Sequence, residues 1–161
     1  EIETTIEREL NHIKNCLSIH QIRFPNNLEY KFAVAPEVMD LKIPPLTIQP
    51  LAENAIIHGF RNEKDKIFCI TVDIRKVNED VCITVSDNGT GFTQEKIEYI
   101  KRELGSSKEL DHIGIQNVYL RLNMFFDGGV DMDFYNNEQG GASIVIKIPV
   151  CKMTKEGKSN V

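Results

Sequence analysis

The sequence predicts an α+β domain, a two-layer α/β sandwich in which a mixed β-sheet is covered on one face by helices. Segments with apolar residues at helical spacing are interleaved with segments that alternate apolar and polar residues. Their order is helix, strand, helix, strand pair, polar connector, helix, strand pair. Short polar or glycine-rich links join the strands of each pair, which suits hairpins and hence a mixed sheet.

Ile2 to Ile22 reads as the first helix, with Ile6, Leu10, Ile13, Leu17 and Ile19 at roughly helical spacing. Arg23-Phe24-Pro25-Asn26-Asn27 is a turn, and Leu28 to Val34 alternates as a strand does. Pro36 to Pro45 suits a loop or a short helical turn. Leu46 to Gly59 is the second helix: Ile48, Leu51, Ala52 and Ala55 form its inward stripe, and Gly59 is a plausible stop. Ile67 to Ile74 and Val81 to Asp87 are strands linked through Asn78-Glu79-Asp80. Thr93 to Glu103 is a polar helix, and Leu104 to Asp111 is polar with one glycine and two serines. Ile115 to Phe126 is a third striped helix, aligned on Ile115, Val118, Leu122 and Phe125. Val130 to Tyr135 and Ser143 to Val150 are the last strands, joined across Gly140-Gly141, and the lysine-rich residues 151–161 read as a disordered tail.

At 161 residues the chain can bury a core as one domain. Its 41% hydrophobic and 27% charged residues are ordinary for a globular protein. The net charge of −5 argues against nucleic acid as the main partner, since phosphate backbones call for a basic surface. No stretch is long and apolar enough to cross a membrane as a helix, and there is no signal-peptide pattern. Cys16, Cys69, Cys82 and Cys151 form no CxxC pair and suit small buried side chains better than disulfides or zinc ligands. The first residue is Glu1 rather than methionine, and the sequence reads as a piece of a longer protein.

Chemistry concentrates in three places. Asp87 shares strand parity with Val81, Ile83 and Val85, so its carboxylate points toward the core. A buried carboxylate needs donors. An adenine exocyclic amine is one reading, and an Asx-turn with Asn88 and Gly89 is the other. Gly89 and Gly91 open the following loop either to a planar ligand or simply to a tight turn. Asn54 and His58 lie one turn apart on the second helix, with Glu53 beside Asn54. They make either a solvated face or an amide-oxygen ligand for Mg²⁺, which takes few protein ligands and otherwise binds water and phosphate. Gly114 stands at the start of a helix whose first N–H groups could face phosphate, with Gln116 and Asn117 adding amides. The alternative is an ordinary helix cap, for which Asp111 is another candidate. Thr93 to Ile113 would then be a mobile lid.

These segments resemble the catalytic ATP-binding domain of sensor histidine kinases, in the gyrase, Hsp90, histidine kinase and MutL ATPase superfamily. Pro44 to Gly59 is similar to a subgroup's PPLxxQPLxENAxxHG box, Ile113 to Leu122 reads IGIQNVYLRL against IGIxNVxxRL, and Arg23-Phe24 also fits. The resemblance covers roughly Leu10 to Pro149. It implies the Bergerat ATP-binding fold, with ATP and Mg²⁺ as cofactors. It assigns Asn54 to the metal and to catalysis, and Asp87, Gly89, Gly91, Gly114, Ile115, Gln116, Asn117 and Gly141 to the nucleotide; from their places on the second helix, Glu53 could assist transfer as a catalytic residue and His58 could reach the phosphates. The implied activity is ATP-dependent phosphorylation of a histidine outside this sequence, followed by transfer to an aspartate of a response-regulator receiver domain. Residues 1–22 would lead from dimerisation and phosphoacceptor helices, with 23–150 the catalytic domain. The parent would be a membrane-anchored bacterial homodimer with this domain in the cytoplasm.

Three departures bear on this. His112 stands where the second glycine box usually opens with glycine. Ala142 follows Gly141 where threonine is usual. Pro50 stands four residues before Asn54, where ATP-hydrolysing members carry a glutamate. The first two motivate an alternative, a degenerate nucleotide-binding signalling module without transfer. The third argues against the other alternative, an ATPase of the same superfamily. His12 and His20 are not followed by the acidic residue common after an acceptor histidine.

Overall fold

Two short strands, five longer ones and five helices emerge in a computed structural model of the chain, which describes residues 2–60, 66–106 and 113–153. β1 (Thr4–Thr5) pairs antiparallel with β3 (Lys42–Ile43). α1 (Ile6–Arg23) therefore begins four residues later than its periodicity predicts. The β-branched threonines take the extended conformation, and Thr5 caps the helix by accepting the Arg8 N–H at 3.1 Å. α1 buries Ile6, Leu10, Ile13 and Leu17, whereas Ile19 faces solvent.

The main sheet runs in the order β2 (Leu28–Val34), β4 (Phe68–Val77), β5 (Asp80–Asp87), β7 (Ala142–Pro149), β6 (Asp131–Asn136). β2 is parallel to β4 and every other pair is antiparallel, so the sheet is mixed as predicted. A single 3₁₀ turn at Pro36–Val38 follows β2. Val85, Ile83 and Val81 pair with Ile144, Ile146 and Ile148, which places all six on the inward face with Ile70, Val72 and Phe134. The opposite face is polar: Ser86 and Ser143 stand opposite each other, hydroxyl to hydroxyl at 2.9 Å.

The inward face is covered by α1, by α2 (Gln49–Gly59) through Leu51, Ala52 and Ala55, and by α4 (Ile113–Phe125) through Ile115, Val118 and Leu122. Phe126, just past α4, is buried more fully than Phe125. α3 (Gln94–Glu103) starts at Thr93, whose hydroxyl accepts the Lys96 N–H, and sends Ile97 and Ile100 into the core. The first half of the expected lid is thus an anchored helix, and Ser107 to His112 lie outside the described residues. The chain does not turn irregular at Cys151. Val150–Met153 form one helical turn, α5, and Lys152 Nζ donates to the Phe126 and Asp127 carbonyls, both at 3.0 Å, beyond the end of α4. The cysteines are less enclosed than expected, with Cys16, Cys69 and Cys82 half-buried and Cys151 exposed.

Candidate functional site

β5 carries Asp87 inward beneath the C-terminal end of α2, and the carboxylate is 6% exposed. Its Oδ1 accepts the Gly89 N–H at 2.8 Å and the Ala142 N–H at 3.2 Å. The first of these is the Asx-turn; the second ties the acid to β7. Both bonds fall on one oxygen, and among the described residues Oδ2 accepts none. Burial raises the Asp87 pKa above the ordinary carboxylate range, against the lowering effect of the Gly89 and Ala142 amides.

The backbone around Asp87 is packed too closely for side chains. A Cβ on Gly141 would overlap the Asp87 carbonyl, lying 2.6 Å from its carbon and 2.8 Å from the Asn88 Cα. A Cβ on Gly89 would lie 2.8 Å from both the Gly59 carbonyl carbon and the Phe68 ring. Gly91 has φ +73° and would meet the Gly140 carbonyl at 2.6 Å. The Asp87 loop, the end of α2 and the β6–β7 turn are therefore in backbone contact. Two asparagines that sequence reasoning missed hold this junction. Asn136 accepts the Phe92 N–H at 2.8 Å and donates to the Phe92 carbonyl at 2.7 Å. Asn137 donates to the Asp87 carbonyl at 2.9 Å and accepts the Gly141 N–H at 3.2 Å. The signal available was their place a few residues before Gly140-Gly141, at a strand end where asparagine favours side-chain-to-backbone turns. Asn88 turns away, accepting from Cys69 N and donating to the Ile67 carbonyl at the start of β4.

Asn54, His58, Asp87 and Gly91 line one recess together with Ala55, Gly59, Phe92 and Ala142. Its volume is about 10 Å³, roughly the room of one water, so a purine enters only if the walls part. Glu53 lies outside it on the exposed face of α2, accepting from Gln49 Nε2 at 2.9 Å, while Gln49 Oε1 is buried with no partner among the described residues. α4 approaches the other end of α2, where a Cβ on Gly114 would stand 3.7 Å from that of Pro50. Gly114 lies within the first turn of α4 rather than before it. Ile115 is buried in the core, Gln116 is buried and donates to the Ser106 carbonyl at 3.1 Å, and Asn117 is exposed. The start of α4 thus offers backbone at Gly114 and Ile115 and an exposed amide at Asn117, and the Gln116 amide ties α4 to the end of the α3 segment.

The family model for histidine kinase-, DNA gyrase B-, and HSP90-like ATPases matches residues 44–152, which span α2, the Asp87 loop, α4 and the last two strands. The chain belongs to this family. Among relatives of the ATPase family, it is 30% identical over 148 residues to the sensor protein LytS of Streptococcus agalactiae serotype V and 31% identical over 144 residues to that of Bacillus anthracis. These matches take in 91% and 89% of the chain but 25% and 24% of the relatives, so the chain spans about a quarter of their length. The catalytic domain of histidine kinase ThkA superposes with a TM-score of 0.66 at 16% identity, covering 91% of this chain and 94% of that one. The mycobacterial sensor histidine kinase MprB gives 0.62 at 12%, covering 91% and 95%. At these identities the likeness is one of fold, and it is the fold of ATPase-family catalytic domains. The family is one of ATP-binding domains, and the donor set fits such a ligand. The unengaged Asp87 Oδ2 has room in its chemistry for a donor such as an exocyclic amine, and the glycines around Asp87 leave backbone rather than side chains beside it.

Proposed function

We propose that this domain binds Mg-ATP and presents the γ-phosphoryl group to a histidine of a sensor histidine kinase. The observation that carries this reading is the recess in which a buried Asp87, with one oxygen unengaged, faces the Asn54–His58 side of α2. Asp87 Oδ2 accepts the adenine amine, and the backbone at Gly89, Gly91 and Gly141 borders the base. Asn54 offers an amide oxygen to Mg²⁺, an oxygen-seeking ion that needs few protein ligands. Magnesium, when bound, neutralises charge on the phosphates and favours in-line attack. His58 lies where it reaches the phosphates, and the first amides of α4 face them at a helix start. Glu53, outside the recess, is placed to meet the incoming acceptor rather than the base. Catalysis on this reading is positioning and charge stabilisation.

Transfer to a side chain is favoured over hydrolysis. Pro50, in the first turn of α2, has no proton-accepting group where a water-activating glutamate would stand. Ala142 does not argue for a degenerate site, because its backbone N–H, not its side chain, serves Asp87. The sensor-protein relatives support a wider setting: an acceptor histidine and dimerisation helices elsewhere in a membrane-anchored bacterial homodimer, a cytoplasmic position for this domain, and a response-regulator aspartate as the next acceptor. Among the described residues no helix is long and apolar enough to cross a membrane.

The experiment is autophosphorylation of the full parent protein with labelled ATP and Mg²⁺. Acid-labile label on the wild type that disappears in Asn54→Ala supports transfer. A wild type that stays unlabelled while releasing inorganic phosphate would point instead to hydrolysis, and one that binds Mg-ATP without doing either would point to a silent module.

A further inference from the structure

The N-terminus of α2 has no cap of its own. Ile48 occupies the capping position with no side-chain hydrogen bond to the helix, and its carbonyl accepts the Leu51 and Ala52 N–H groups at 3.0 and 3.2 Å. The two amides just before α2, those of Thr47 and Ile48, are met by an acid almost forty residues earlier. Glu9 of α1, 4% exposed, accepts the Thr47 N–H on Oε1 at 2.7 Å and the Ile48 N–H on Oε2 at 3.1 Å. A carboxylate at a helix N-terminus also opposes the positive end of the helix dipole. From the other side, Arg121 of α4 donates to the Pro45 carbonyl at 2.9 Å, and Thr47 Oγ1 donates to the Pro44 carbonyl at 2.7 Å. Between them Leu46 is held at φ +59°, a conformation unfavourable for a residue with a branched side chain. The α1 end of this link is itself fixed, because Ile6 and Glu7 donate their N–H groups to Leu41 and Met39 at 3.0 Å each.

We propose that Glu9 is a positioning residue for the nucleotide site: its buried carboxylate fixes the start of α2 to α1, and so sets where Asn54 stands relative to Asp87. This rests on the reading of Asn54 as the metal-side residue. Asn54 is six residues beyond Ile48, about 9 Å along a rigid helix, and Asp87 belongs to the sheet, at the end of β5. A shift of α1 would therefore move the metal side of the site against the base side. Apolar contacts between α1 and the core can slide; two charge-assisted bonds to adjacent amides cannot do so without breaking. Glu9 is thus the polar link from α1 to the start of α2, beside the apolar packing of the two helices.

The test compares nucleotide affinity with and without Mg²⁺ for the wild type, Glu9→Gln and Glu9→Asp, by titration calorimetry, alongside the denaturant midpoint of each. Glu9→Gln keeps the shape but turns one acceptor into a donor facing an N–H. The expected result is a loss of the Mg²⁺-dependent gain in affinity by about tenfold, the scale of perturbing a group that orients a metal ligand, with metal-free ADP affinity retained and partial recovery in Glu9→Asp. A folded Glu9→Gln with an unchanged Mg²⁺-dependent gain overturns the proposal, as does an equal loss of affinity with and without the metal. Should neither variant fold, the wild type decides. Coupling is reciprocal, so Mg-ATP must slow amide exchange at Thr47 and Ile48 beyond what metal-free ADP does, and equal exchange in the two overturns the proposal. A wild type that binds no nucleotide at all contradicts the Mg-ATP reading itself, a separate outcome.

Discussion

Asp87 illustrates how one side chain serves two readings at once. It makes the Asx-turn with Gly89 on one oxygen, and on the proposed reading the other serves a donor from outside. Because burial raises its pKa in the folded state, the ionised acid opposes folding at neutral pH. The sign follows from linkage: the penalty is absent in acid below the unfolded carboxylate range near ~4, grows as pH rises toward the folded pKa, and is full above it. Asp87→Asn keeps an acceptor for Gly89 and Ala142 and removes the charge. It should be more stable than the wild type at pH 7, the difference shrinking toward acid pH, as denaturant midpoints across pH will record. Two glycines separate packing from ligand binding. Gly141→Ala drives a methyl into the Asp87 backbone and should cost about 2–3 kcal/mol by overpacking. Gly114→Ala meets nothing nearer than 3.7 Å inside a helix. It should stabilise the fold by up to about 1 kcal/mol, and any loss should appear in nucleotide titration alone. Strand parity made Asp87 legible from the sequence. Nothing local revealed that Asn136 and Asn137 bind backbone forty or more residues away.

At the level of elements, β2, α2, β4, β5, α4 and the last two strands were readable because each keeps one period over its length. The misreadings came where local preference met a tertiary partner. Thr4–Thr5 look like helix until Lys42–Ile43 offer an edge to pair with. Ile19 fits the α1 stripe but projects beyond the core. The polar helix read from Thr93 to Glu103 is present as α3; what its polarity hid is its anchoring, through Ile97 and Ile100 in the core and a 2.8 Å ion pair from Lys101 to Asp133 of β6. Gln116, predicted to face phosphate, is drawn to Ser106 instead. The β6–β7 turn depends on Asn137 in the same way. Asn137→Ala removes donors from the Asp87 and Ala142 carbonyls, the second at 3.4 Å, and acceptors from Gln139 and Gly141. It should cost about 1–3 kcal/mol and loosen nucleotide binding, whereas Asn88→Ala should cost stability at the start of β4 with less effect on affinity. Thermal midpoints and titrations on the two variants separate these outcomes.

For the whole molecule, on the proposed reading the sheet supplies the acid, one helix the amide and a second helix backbone donors, so the proposed site lies where three elements meet. That explains why the motifs were visible in the sequence while the size of the recess was not. Closure to about 10 Å³ depends on how Phe92 is held by Asn136 and how Gly59 lies on Gly89, neither of which has a sequence signature. Ligand entry must part these walls, and NMR should show amide shifts at Gly89 to Phe92 and at Asn136 when nucleotide is added. Binding should also stabilise the fold, by about 2.7 kcal/mol at a hundredfold excess over Kd. The most direct measurement is calorimetric titration of Mg-ATP into the wild-type chain, Asp87→Asn and Asn54→Ala, each verified as folded. The wild type should bind, Asp87→Asn should lose affinity with and without Mg²⁺, and Asn54→Ala should lose chiefly the part that needs the metal. Equal Mg-ATP affinity in all three proteins would contradict the assignment of base and metal to these two side chains.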